Sequence, residues 1–159
     1  MSESREGMSA GLLGAGVVAV WFLILDLLKG RPLITPSVLG EVILLRNATP
    51  SLSVVNPRAV LGYTALHLAA FIVLGLIVDR LVILSERHGI WRFALLMLFV
   101  VFEVFFYWLV QLGFTATSGL FPLWTVLIAN SLAAVAMGWW LYRRHPALKA
   151  AFQSSPLGT

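Results

Sequence analysis

Four stretches of the chain run for the length of a membrane crossing with almost no charge, and the polar residues gather between them. They cover about residues 9–28, 60–82, 91–113 and 120–142, with cores such as MSAGLLGAGVVAVWFLIL in the first and LFPLWTVLIANSLAAVAMGWWLY in the fourth. A helix needs about 20 mostly apolar residues to cross the hydrocarbon of a bilayer. None of the runs alternates apolar and polar positions, so a transmembrane barrel is excluded. The short TATSG segment at 115–119 folds the last two runs into an antiparallel hairpin. The pattern predicts an all-α, polytopic membrane protein. Its form is an antiparallel four-transmembrane-helix bundle that makes a single domain over residues 1–159.

One connection is long. Residues 30–59, GRPLITPSVLGEVILLRNATPSLSVVNPRA, hold four prolines that stop the first run from continuing into the second. Within this loop VLGEVILL is too short to span. It predicts a short interfacial helix starting near Pro36 and capped by Thr35 or Ser37, with Glu41 and Arg46 facing water or headgroups. The loop is expected to form a collar or partner surface, or a lid over the bundle mouth.

Composition agrees. The chain is 60% hydrophobic and only 11% charged, whereas soluble domains are about 45–50% apolar and about 25% charged. Mean hydropathy is +0.93. The net charge of +4 comes from basic residues placed mostly at the ends of the runs, which points to lipid headgroups rather than nucleic acid. The first run lacks a cleavage motif and is expected to be retained rather than removed as a signal peptide. Seven Lys and Arg residues fall on the side shared by both termini and the loop after the second run, against four on the other side. The positive-inside rule then places both termini in the cytoplasm, and the expected location is a bacterial plasma membrane. Trp91, Trp124, Trp139 and Trp140 lie near run ends, as an aromatic belt requires, while Trp21 and Trp108 are expected to pack inside.

Against this background a few polar residues stand out. Glu103 interrupts the third run, His67 the second and Asn130 the fourth. Counted from the outer side they lie about ten, seven and nine residues deep, which at about 1.5 Å per residue is nearly one level. Glu103, Tyr107 and Gln111 share a helical stripe, as do Tyr63 and His67, and Asp26 lies nearer the outer surface. An ionisable group at such depth turns toward protein or a water-filled path. Glu103 is therefore expected to face His67, Asn130 or a partner protein, and all seven residues are candidates for binding a ligand or ion. Small residues, namely Gly7, Gly11, Gly14 and Gly16 on the first helix and Ala129, Ala133, Ala134 and Gly138 on the last, suit close helix packing in lipid.

No enzyme signature is present: there is no phosphate-binding glycine loop, no HExxH and no GxSxG. The chain has no cysteine, so thiolate chemistry and cysteine-based metal sites are excluded. His88 and His145 sit at helix ends and read as interfacial. No cofactor or metal is expected. Three functions remain open. The first expectation is a non-enzymatic subunit or scaffold of a membrane complex, with lipids and other membrane chains, or further copies of itself, as partners. The second is an oligomeric carrier or channel for a small ion or apolar ligand, built on the polar layer around Glu103 and His67. The third is a membrane redox protein with a haem or quinone site.

Overall fold

The computed structural model describes residues 3–88, 90–113 and 122–147. Among these residues five helices follow one another: α1 Glu3–Leu28, α2 Ile34–Ile43, α3 Pro57–Arg87, α4 Ile90–Gly113 and α5 Leu123–Arg144. No strand occurs among the described residues. Among the described residues three helices, α1, α3 and α5, are long and apolar enough to cross a membrane. The turn expected at 115–119 lies outside the described residues.

The helices outrun the apolar stretches. α1 starts at Glu3 rather than near residue 9, and α3 spans Pro57–Arg87 rather than 60–82. Hydrophobicity marks only the part that hydrocarbon covers, whereas the i→i−4 hydrogen-bond ladder continues into water until something ends it. At α3 that limit is set by Asn56, whose side chain accepts hydrogen bonds from Arg58 N and Ala59 N, with Pro57 in the first turn. α1 ends at Gly30, which has φ +66°. Gly30 N donates to Leu27 O and Arg31 N to Asp26 O, a double closure that needs a left-handed residue at that position.

α1 packs along α3 and α5, and α4 leans on α3 while touching α5 only lightly. The α1–α3 contact is backbone on backbone. A Cβ placed on Gly11 would lie 2.2 Å from Phe71 O, and one on Gly75 would lie 2.3 Å from Gly7 O. Gly7, Gly11 and Gly14 thus serve the packing expected of them, but Gly16 faces open space. Ala15, Val18, Phe71, Ala129, Ala133 and Met137 form the central core. Trp21 packs inside as expected and donates its indole N–H to Thr125 O at 3.0 Å. Trp108, expected to do the same, is 55% exposed. It lies on an outward face of α4 with Val101, Val104 and Phe105, where apolar surroundings cost nothing.

The long connection is a folded brace. α2 is the short helix foreseen there, and it packs on α3. Two details of the expectation fail. Neither Thr35 nor Ser37 caps α2: Thr35 N and Oγ1 donate to the Asp26 carboxylate at 2.8 and 2.7 Å, and Ser37 Oγ accepts from Asn56 N at 2.8 Å. Glu41 does not face water but is buried, accepting from Asn47 Nδ2 at 2.9 Å. Both departures have one cause. Gly40 lets α2 close onto the first turn of α3, where an added Cβ would lie 2.1 Å from Ala59 O. Polar groups enclosed by that contact must bond to one another.

Asp26 thereby joins the end of α1 to the start of α2. Replacing it with alanine leaves the buried Thr35 N–H and hydroxyl without their acceptor, and the expected loss is about 1–3 kcal/mol. Amide exchange across 34–43 should accelerate while exchange in the middle of α3 stays slow. Unchanged protection of α2 would contradict the brace.

Candidate functional site

α4 stands away from α5 and leaves an apolar cavity of about 320 Å³ between α3, α4 and α5. Phe71, Phe99, Phe102, Asn130, Met137 and Gly138 contribute to its walls. It follows the helices from the level of Phe71 and Asn130 to that of Val82 and Leu141, about 16 Å at the helical rise. Small side chains at Ala133, Ala134 and Gly138 make the space on the α5 side. The residues expected to bring α5 close to its neighbour therefore divide. Ala129 is buried in the core, Ala133 is shared between core and cavity wall, and Ala134 and Gly138 open a void.

Asn130 is the polar residue at the inner end of the cavity, with Tyr142 at the other. It is buried, and its Nδ2 donates to Glu103 Oε2 at 3.2 Å, tying α5 to α4. The second carboxylate oxygen, Glu103 Oε1, is buried with no hydrogen-bond partner among the described residues. Glu103 stands behind the cavity wall and meets it through Asn130, the polar residue of a slot otherwise shaped for hydrocarbon.

The expected polar layer divides. Glu103 meets Asn130, but His67 turns to the opposite side of α3. There its Nε2 lies 3.2 Å from Ala15 O of α1, and since a carbonyl only accepts, this nitrogen donates. The imidazole is stacked on Tyr63, with ring centroids 5.8 Å apart, and tilted against Phe71 at 4.7 Å. Asp26 belongs to the α1–α2 brace. The side chains of Tyr107 and Gln111 lie outside the described residues.

A second constellation lies where the start of α1 meets the ends of α3 and α5. His145, first residue past α5, brings Nδ1 to 3.0 Å from Glu86 Oε1 and Nε2 to 3.2 Å from Asp79 Oδ1 and 3.3 Å from Glu6 Oε2. Far from being a lone interfacial group, it is 12% exposed and joins three helices. A signal was present in the chain. Asp79 and Glu86 are seven apart and share a helical face, and in an up-and-down bundle their end is also that of Glu6 and His145.

With three helices long and apolar enough to span, the chain has the build of an integral membrane protein. Comparison with known protein families, with curated proteins and with solved structures found no match.

Proposed function

We propose that the chain is a four-span membrane protein that binds an apolar small molecule between α3, α4 and α5, as a carrier does. The fourth crossing is α4, whose 24 residues carry one carboxylate between apolar neighbours. At about 1.5 Å per residue they reach about 36 Å, enough for the hydrocarbon layer. Both termini lie on the cytoplasmic side, in keeping with the basic residues there, and α2 sits at the opposite interface.

The observation that carries this reading is the apolar cavity with Asn130 at its inner end, backed by Glu103, whose Oε1 is buried without a partner among the described residues. Buried acceptors are seldom left unpaired. A ligand with one hydroxyl on a hydrocarbon body, such as a long-chain alcohol or a quinol, supplies both the missing donor and the fill. His67 does not favour haem, because its Nε2 is already engaged with Ala15 O.

Photolabelling in lipid nanodiscs with a diazirine-bearing long-chain alcohol tests the proposal. Label is expected on α4 and α5 wall residues and should be displaced by the unmodified alcohol. Glu103→Leu removes the acceptor at little cost in volume. A lost hydrogen bond in an apolar site is worth about 1.4 kcal/mol, so affinity should fall about tenfold. Non-saturable labelling spread evenly over lipid-facing residues would reject the site. If the protein instead leaves the membrane in mild detergent with a stoichiometric second chain cross-linked through the cavity walls, the subunit or scaffold role takes its place.

A further inference from the structure

We propose that Glu6, Asp79 and His145 form a binding site for a divalent transition metal of the zinc class, with Glu86 as the outer carboxylate that orients the imidazole. The site lies at the end of the bundle, apart from Glu103, and its test does not depend on the cavity.

The convergence of donor atoms leads to a cation. An imidazole carries at most one hydrogen on each ring nitrogen, and ionised carboxylates only accept. Nδ1–H is matched by Glu86 Oε1 at 3.0 Å. Nε2 faces two oxygens at once, Asp79 Oδ1 at 3.2 Å and Glu6 Oε2 at 3.3 Å. With Nδ1 as the protonated nitrogen of a neutral ring, Nε2 presents a lone pair, and it shares one small space with the two carboxylate oxygens, all three atoms within 4.8 Å of one another. A metal ion accepts all three donors together.

The spacing suits such an ion. Zinc binds imidazole nitrogen and carboxylate oxygen at about 2.0–2.1 Å in tetrahedral sites, which separates neighbouring donors by about 3.3 Å. The two separations from Nε2 match that edge, and the three donor atoms all lie within 4.8 Å of one another, a spread that a small turn of the longer Glu6 side chain closes onto an ion. A metal-bound histidine characteristically gives its other N–H to a carboxylate, the part Glu86 takes. The nitrogen–oxygen donor set without sulfur suits zinc, cobalt or manganese. Three protein donors leave a fourth position for water.

Backbone packing brings the donors together. Gly7, next to Glu6, has no side chain, and a Cβ there would stand 3.0 Å from both Asp79 Cβ and Leu76 Cα. This close approach sets the Glu6 carboxylate against Asp79, which is only 3% exposed. The two arginines that end α5 are turned aside, Arg143 over the Trp139 ring at 4.2 Å and Arg144 over that of Trp140 at 4.9 Å. One donor comes from each of α1, α3 and the end of α5, so the site exists only when the bundle is assembled.

The experiment uses the full chain in mild detergent after chelator treatment, with zinc and cobalt chlorides as probes. Equilibrium dialysis is expected to show one zinc per chain. His145→Ala and Asp79→Asn should lower the affinity at least a hundredfold, and Glu86→Gln about tenfold, the range for an outer-shell partner. Replacement of exposed His88 by alanine should change nothing. Cobalt should give the intense visible bands of a tetrahedral site. Nitrogen-15 shifts of the wild-type imidazoles provide a readout that needs no variant, since zinc must move the His145 Nε2 resonance and spare His67. Zinc uptake that survives in His145→Ala, or an unmoved His145 resonance in the wild type, overturns the proposal.

Discussion

Leucine in place of Gly11 is expected to be the most damaging single substitution in the chain. Even the first atom of the new side chain would fall 2.2 Å from Phe71 O and 2.9 Å from Ile72 Cα. Those atoms belong to the backbone of α3 and cannot swing away as a side-chain tip would. The helices must part, and the contacts of Ala10 and Ala15, both fully buried, are lost with them. Overpacking costs about 1–3 kcal/mol where side chains yield, so this substitution should reach about 3 kcal/mol or more. Gly75→Leu strikes the same crossing from the other side, with an added Cβ only 2.3 Å from Gly7 O. Gly16→Leu, with nothing within 4 Å, is the control and should be neutral or slightly stabilising. Reversible unfolding in detergent would measure all three. A Gly11→Leu protein as stable as the control would show that α1 and α3 do not meet in this way.

Filling the cavity gives the second large effect, on binding rather than stability. Gly138 lines the void and a Cβ there meets nothing within 4 Å. Gly138→Phe should project a ring into the space meant for hydrocarbon and lower labelling by the long-chain alcohol probe at least tenfold. Stability should hold or rise, because glycine inside a helix is about 1 kcal/mol worse than alanine. Ala134→Phe, one turn away on the same wall, should repeat the loss of labelling. Undiminished labelling in both would place the probe elsewhere.

The helices were legible because spanning demands a long uncharged run and little else. Their ends were not, since Glu3 to Met8 and Ser85 to Arg87 continue α1 and α3 with little apolar signal. α2 was visible in outline, yet its bonding was hidden: Asp26, Ser37, Asn56 and Gly40 interact across chain separations that no local pattern records. Depth along the helices placed Glu103 and Asn130 together correctly, and the same arithmetic placed His67 with them. Depth is one coordinate and azimuth is another. His67 has the right height but points at α1. His145 shows the reverse error. Considered alone it was a terminal residue, and only the convergence of three helix ends gives it neighbours.

The pairs formed by Arg143 with Trp139 and Arg144 with Trp140 bear on how the bundle sits in its surroundings. Each guanidinium shares its charge with an indole face, an attraction of about 0.5–2 kcal/mol. The composite is a broad plate, cationic outside and oily inside, suited to the phosphate–carbonyl zone of a leaflet. Successive helix positions differ by about 100° in direction, so the two plates splay around α5. Trp140 at the same time packs against the core of Ala10, Val82 and Leu141, so one plate ties its charge to the bundle while the other, on exposed Trp139, faces outward.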